Sequence, residues 1–186
     1  MGLNLCEQDF TQFIKALAFA SEKHKEERRK GGSHPPYINH PINVAQILWE
    51  TGGVRDIHIL VAALLHDTVE DTGTKPDEIK RKFGPEVLSL VMEVTDDKSL
   101  PKAERKRLQI VHAPQTPKEA RQIKLGDKIS NVYEIAHDPP ADWTIQRRRE
   151  YLDWTEQVIN GMRGSNDALE ARYDAVLAEA RQMLDQ

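Results

Sequence analysis

Two ionisable residues, His66 and Asp67, directly follow the most apolar run of the chain, residues 59–65. That run predicts a buried helix, which would carry the pair at its C-terminal end. Imidazole and carboxylate groups are costly to bury unless they are paired or bound to a metal, and divalent transition metals favour such nitrogen and oxygen ligands. The pair therefore indicates a metal site, although a histidine–aspartate dipeptide alone is more often a surface pair or a helix end.

Two further acids, Glu70 and Asp71, stand four residues after this pair. If the helix continues, Glu70 lies near His66 and Asp71 near Asp67, because residues four apart share a helix face. Carboxylates gathered in this way repel one another and require a cation. The sequence thus places groups that can transfer protons beside the predicted metal.

Ligands from other helices are expected as well, because a metal site of this kind draws on several elements. His40 stands directly before Pro41, which suits the first turn of a helix. Asp127 lies inside a later predicted helix and, without the other motifs, would be an ordinary surface residue. The candidate ligand set is His40, His66, Asp67 and Asp127.

The order of these residues resembles the ligand pattern of the HD phosphohydrolase superfamily. Further strings follow in the order of the RelA/SpoT-type alarmone hydrolase domains, and the length is similar to that of the single-domain, metazoan-SpoT-homologue-like hydrolases. The resemblance spans roughly residues 16–162. The strings are residues 28–30, 36–41, 62–71, 83–84, 93–98 and 124–128, with Asn131. Gly126 departs from the alanine common there, and a glycine costs about 1 kcal/mol of helix stability.

The resemblance implies metal-dependent hydrolysis of guanosine 3′,5′-bispyrophosphate (ppGpp or pppGpp) to GDP or GTP and pyrophosphate. It also implies one divalent metal ion, Mn²⁺, although the ligand set alone equally suits Fe²⁺, Co²⁺ or Zn²⁺. Glu70 is the candidate to deprotonate the attacking water, and Asp71 to assist or to protonate the leaving group. Two alternatives stay open: an HD-type phosphatase of another nucleotide or phosphorylated cofactor, and a non-catalytic nucleotide-binding module.

The candidate substrate-binding residues are Arg29, Lys30, Tyr37, Lys102, Arg105, Asn131, Arg147 and Tyr151. In the family, the counterparts of the first two face the nucleotide. Residues 98–107 hold five basic residues and one acidic residue, which suits a multiply phosphorylated ligand, although such a run is usually a solvated helix face. The tyrosine at position 37 would either pack in the core or stack on a base. The five cations of the set are expected to converge on the mouth of the metal site.

The fold class predicted is all-α, because apolar residues recur at helical spacing and no useful β alternation appears. A compact HD-domain bundle of about eight to ten helices is expected, as a single domain over residues 1–186. The first helix is predicted to run from about residue 9 to residue 30. His24 extends its apolar stripe and is predicted to be structural.

Charge and composition narrow the partners and the compartment. The formal net charge is -4, with 30% charged residues, and this balance does not favour a nucleic-acid partner. No apolar run approaches the roughly 20 residues that span a bilayer. The single cysteine, Cys6, cannot form an internal disulfide, and the first residues lack the pattern of a secretory signal. A cytoplasmic protein is expected, and the resemblance implies a small-molecule guanine nucleotide as its partner.

Overall fold

The computed structural model describes residues 6–186, which form ten α-helices and one short 3₁₀ turn, Ala113–Gln115. No β-strand forms in this part of the chain, and its β pairing is limited to two isolated bridges. The all-α prediction is confirmed. The helices are α1 (Glu7–Lys23), α2 (Asn39–Glu50), α3 (Ile57–Leu65), α4 (Thr68–Asp71), α5 (Pro76–Phe83), α6 (Pro85–Val94), α7 (Lys102–His112), α8 (Lys118–His137), α9 (Ile145–Asn160) and α10 (Asp167–Leu184).

The helix α3 lies at the centre of the fold. Its residues 59–65 are all buried, and it packs against α1, α2, α6 and α8. The Asp56 carboxylate caps its start by accepting a hydrogen bond of 2.8 Å from the His58 amide. Because residues 59–65 of α3 are covered on every face, this part of the helix is apolar throughout rather than on one stripe. The helix ends at Leu65, and the next two residues form a turn before α4.

The helices α2 and α8 approach each other closely at Gly126. A β-carbon at this position would lie 3.1 Å from a methyl of Val44 and 3.2 Å from one of Leu48. Such contacts are tighter than ordinary van der Waals packing, so the missing methyl group allows the two helices to meet. The departure from alanine therefore has a packing reason, and it brings the start of α2 next to the middle of α8.

The first helix ends at Lys23, earlier than the predicted residue 30. The chain turns there because the His24 ring is buried and stacks on Tyr37 with 4.8 Å between ring centroids, which fits its predicted structural role. The following loop is held in place by an isolated antiparallel β-bridge between Gly31 and Pro140. A β-carbon on Gly31 would lie 2.6 Å from the Asp138 carbonyl oxygen, so this approach requires glycine.

The residues that bear on the compartment are only partly described. Residues 1–5, which the localisation prediction used, lie outside the described range, and Cys6 is an exposed free thiol. Among the helices of residues 6–186, none is both long enough and apolar enough to cross a membrane.

Candidate metal centre and active site

The four candidate ligands meet in one buried place, although they come from three parts of the chain. His40 Nε2 lies 3.1 Å from Asp127 Oδ1, and His66 Nε2 lies 3.0 Å from Asp67 Oδ2. The cross distances are 3.8 Å from His40 Nε2 to Asp67 Oδ2 and 4.0 Å from His66 Nε2 to Asp127 Oδ1. Ligand atoms of His40, His66 and Asp67 all lie within 4.8 Å of one another. The predicted ligand set is thus brought together.

Both histidines are oriented through their second ring nitrogen. His66 Nδ1 lies 2.8 Å from the Ala63 carbonyl oxygen, so this nitrogen carries the hydrogen and donates it. His40 Nδ1 lies 3.1 Å from Ser130 Oγ. The buried His66 Nε2 has no aligned hydrogen-bond partner among the described residues, so its lone pair can serve a metal once this nitrogen has lost its proton. A backbone or hydroxyl partner behind a ligating imidazole is the usual arrangement at metal centres, and the donor set fits a divalent transition metal.

The two carboxylate ligands are held ionised, as metal ligation requires. Asp127 accepts hydrogen bonds from Asn131 (2.5 Å) and from the Lys128 ammonium (2.9 Å). Burial opposes ionisation, but Lys128 and His40 hold the pKa of Asp127 well below its usual range. Asp67 accepts a bond of 2.5 Å from the Tyr37 hydroxyl, and despite burial the neighbouring His66 lowers the pKa of Asp67.

Metal binding is expected to release one proton and to tighten as the pH rises. Burial and Arg29 lower the pKa of His40, so this ring is already neutral. Burial also disfavours charge on His66, but the Asp67 carboxylate more than offsets it and raises the pKa of His66 to about 9 in the metal-free protein. Below that pH a metal must displace the proton, so the association constant should rise about tenfold per pH unit up to about pH 9.

Titration calorimetry with a divalent metal, in buffers of different ionisation enthalpy, measures both the affinity and the released proton. An affinity that stays constant between about pH 6.5 and 8 would contradict the expected titration of His66.

The two predicted proton-transfer residues face different cavities. Glu70 lines the metal cavity, a space of about 220 Å³ that also holds the four candidate ligands. Its carboxylate accepts a bond of 2.9 Å from the Asp96 amide and lies 3.6 Å from Arg105, and burial raises the pKa of Glu70 to about 7. Asp71 instead accepts hydrogen bonds from Lys98 and, at 3.3 Å, from the Tyr37 hydroxyl.

Two further cavities adjoin the metal cavity. The loop cavity, about 410 Å³, is bordered by residues 27–31 and shares Arg29, Tyr37 and Asn131 with the metal cavity. The basic cavity, about 360 Å³, shares Asp96 and Gln109 with it. Trp143 and Tyr151 border both the loop cavity and the basic cavity. The basic cavity takes its name from Lys102, Arg105, Lys106 and Arg147.

The five predicted cations lie around this group of cavities. Lys30 borders the loop cavity, and Lys102, Arg105 and Arg147 border the basic cavity. Arg29 donates hydrogen bonds to Glu134 (2.9 Å) and Asn131 (2.6 Å). The cations therefore converge in space, although Arg147 is 45% exposed and lies 3.8 Å from Asp142.

The two tyrosines predicted to contact the substrate, Tyr37 and Tyr151, have different surroundings. Tyr37 has His24 stacked on its ring and the Arg29 guanidinium 5.3 Å from the ring centre, while its hydroxyl bonds to Asp67. Its contacts are thus with the metal centre, and stacking on a base stays a prediction. Tyr151 is partly exposed between Trp143 and Trp154, each with its ring centre 5.5 Å away.

Several residues of the site were not predicted from the sequence. Lys98 contacts Asp71, Asp96 binds Glu70 through its amide, and Lys124 and Lys128 border the metal cavity. The two lysines stand three residues before Asp127 and one residue after it. Their spacing with Asn131 places them on one side of α8, which is the signal that could have identified them.

Comparison with known proteins gives concordant matches. Residues 16–149 match the family model described as HD domain. The guanosine-3′,5′-bis(diphosphate) 3′-pyrophosphohydrolase MESH1 of Xenopus tropicalis is 49% identical over 166 residues, covering 89% of this chain and 93% of the relative. The enzyme of the same name from Homo sapiens is 50% identical over 159 residues, with coverage of 86% and 89%.

A solved structure also matches, described as a metazoan orthologue of SpoT that hydrolyses ppGpp and plays a role in starvation responses. It superposes with a TM-score of 0.88 at 43% identity, covering 90% of this chain and 94% of the other.

Proposed function

This chain belongs to the HD domain family, and on that premise we propose that it hydrolyses ppGpp and pppGpp to GDP or GTP and pyrophosphate. The relatives from frog and human are named for this activity, and the match covers 93% and 89% of their length. The observation that carries the proposal is that the four ligands and Glu70 share one cavity with a basic cavity beside it. The family match and the relatives confirm the resemblance drawn from the sequence.

A divalent metal is held by His40, His66, Asp67 and Asp127 in this proposal, and Mn²⁺ is the ion we favour. The mixed nitrogen and oxygen donors suit it, as does the resemblance to the alarmone hydrolases. When bound, the ion supplies a Lewis acid for a phosphoryl oxygen and activates water for attack. The residues around it then have to hold the substrate and move protons.

Proton transfer is assigned to the two acids of α4. Water attacks the phosphorus attached to the ribose 3′-oxygen, and the bond between that phosphorus and the 3′-oxygen breaks. The oxygen of the water ends in pyrophosphate, and the 3′-oxygen of GDP or GTP is the leaving group, which takes up a proton. Glu70 borders the metal cavity and is the candidate to take the proton of the water. Asp71 borders the loop cavity and is the candidate to assist or to protonate the 3′-oxygen. Separate environments allow two carboxyl groups to take opposite roles.

Substrate binding is assigned to the cations and the neighbouring polar groups. A protein of net charge -4 that binds a polyphosphate requires local focusing of positive charge, and the basic cavity supplies it. The proposed contacts are Arg29, Lys30, Tyr37, Lys102, Arg105, Asn131, Arg147 and Tyr151.

Neutralising Arg147 tests this assignment against a matched control on the same helix. Arg147→Met is expected to raise KM for ppGpp about tenfold with little change in kcat, because a contact to a bound phosphate serves the ground state and the transition state alike. Arg149→Met should leave both constants unchanged, because the Arg149 guanidinium donates a hydrogen bond of 2.8 Å to Asp185, just after the end of α10, and borders none of the three cavities. Equal KM values for the two variants would contradict a role for Arg147.

A screen of nucleotides and phosphorylated cofactors with the metal-loaded protein separates the proposal from its alternatives. The expected result ranks ppGpp and pppGpp first by kcat/KM, with pyrophosphate as the product. A ranking led by another phosphate ester would favour a different HD phosphatase. Tight binding of ppGpp without turnover would favour a binding module. The presence of Glu70 in the metal cavity and of Asp71 in the adjoining loop cavity argues against that alternative.

The extent and the compartment of the protein complete the proposal. Residues 1–186 are assigned to a single HD phosphohydrolase domain, which is supported by one continuous apolar core that reaches from Ala16 to Ala180. A cytoplasmic location is the one we favour, because a sequence with a single cysteine, Cys6, has no disulfide framework of the kind that oxidising compartments favour.

A further inference from the structure

Lys128 is a buried cation that the family resemblance left without a role. The residue is only 6% exposed. Its Nζ atom lies 2.9 Å from Asp127 Oδ2 and 4.9 Å from the centre of the Trp154 ring. Burying an ammonium group is costly even when it is paired, and a pair of apolar residues often stabilises a fold equally well. A retained buried cation at the edge of a reaction cavity is therefore a candidate for function.

The charge balance of the metal centre suggests an electrostatic role for Lys128. Two neutral imidazoles and two carboxylates would cancel the charge of a bound dication. The ammonium of Lys128 restores one positive charge to the centre and lies against the carboxylate of Asp127. Because the substrate is a polyanion, a centre that is positive rather than neutral attracts it and opposes the negative charge that builds up during phosphoryl transfer.

The hydrogen-bond donors of Lys128 point to the same use. An ammonium group has three donors, and within residues 6–186 the bond to Asp127 is the one that it makes. Lys128 also borders the metal cavity, together with the four ligands and Glu70. Its remaining donors are thus available to a phosphoryl group that enters this cavity.

We propose that Lys128 is a further catalytic residue, which donates a hydrogen bond to a phosphoryl oxygen of the bound substrate. At the same time it holds Asp127 through Oδ2, so that Oδ1 faces His40 and the metal. The role during turnover rests on the proposed function, whereas the contact with a diphosphate group does not. A purely structural lysine would affect folding or metal retention but would leave the kcat of the metal-saturated enzyme unchanged.

The test compares Lys128→Met and Lys128→Gln with Lys128→Arg, and uses Lys118→Met, an exposed lysine of the same helix, as the control. Each protein is saturated with Mn²⁺, its metal content is measured, and kcat and KM for ppGpp are determined. Loss of one buried donor to a developing anion typically lowers kcat about 10² to 10³-fold. We expect this loss in the Met and Gln variants with one Mn²⁺ retained, at least tenfold recovery in the Arg variant, and wild-type constants in the control.

Two results would overturn the proposal: a kcat of the metal-saturated Gln or Met variant within about threefold of wild type, or a loss that extra Mn²⁺ fully restores. The Gln variant keeps a partner for Asp127 and covers the case in which the Met variant does not fold. Calorimetry with pyrophosphate and Mn²⁺-loaded protein separates this proposal from the proposed function. A wild-type protein inactive on ppGpp would reject the function alone, whereas equal pyrophosphate affinities of wild type and the Gln variant would reject the role of Lys128.

Discussion

His66→Ala and Asp67→Ala are expected to lose the bound metal and, with it, hydrolysis. At metal centres, removing a residue that hydrogen-bonds to a ligand already lowers metal affinity or activity about 10 to 100-fold. Removing a ligand itself should therefore lower metal affinity more than about 100-fold. His66 is the sharper test because its Nε2 atom is buried and has no aligned partner among the described residues. In the wild-type protein a metal ion can therefore take the place of the proton on this atom.

Metal content by mass spectrometry and kcat for ppGpp, measured on the same samples, check this result. The matched control is His58→Ala, a partly exposed histidine at the other end of α3 whose ring lies 3.3 Å from Asp56. It should keep both metal and activity. Circular dichroism shows whether each variant is folded, because His66 also bonds to the Ala63 carbonyl. A folded His66→Ala protein with full metal content would refute the ligand assignment.

Glu70→Gln is expected to keep the metal and to lose about 10² to 10⁴-fold in kcat, the usual contribution of general acid–base catalysis. The amide is nearly isosteric and can still accept the hydrogen bond from the Asp96 amide, but it cannot take a proton from water. Asp71→Asn should also keep the metal and lose much of its kcat. Glu119→Gln, an exposed acid at the start of α8, should behave as wild type.

The pH profile gives the Glu70 variant a second readout. Burial raises the pKa of Glu70 to about 7, and a bound dication favours the ionised form. A base must be deprotonated to act, so activity should rise with pH through a limb at or below about pH 7. This limb should be absent from the residual activity of Glu70→Gln. A variant that is metal-free, or that is fully active, would show that the assignment is wrong.

The ligand set and the all-α fold could be predicted because their signals are local. The apolar run at residues 59–65 ends directly at His66 and Asp67. The run is apolar because this part of α3 is buried on all sides, and the two ligands follow where the helix ends. The strings around His40 and Asp127 supplied the resemblance that joined residues distant in the chain. Roles for Glu70, Asp71 and the cations stay predictions that the experiments above test.

The parts that could not be predicted depend on tertiary contacts. The end of α1 at Lys23 follows from the stacking of His24 on Tyr37, which joins residues that local propensity does not relate. Lys128 looks like a solvated helix residue in the sequence, and its burial arises only when α9 covers it with Trp154. Helix α3 also does not continue through the two acids. A separate turn of helix, α4, places Glu70 in the metal cavity and Asp71 in the loop cavity.

The most direct test of the central claim is the identification of the products formed from ppGpp in ¹⁸O-labelled water. Metal-free protein, prepared with a chelator, should be inactive, and addition of Mn²⁺ should restore the release of GDP and pyrophosphate. Because water is proposed to attack phosphorus, the label should appear in pyrophosphate and not in GDP. Failure to release pyrophosphate with any divalent metal, or label on the ribose of GDP, would contradict the account.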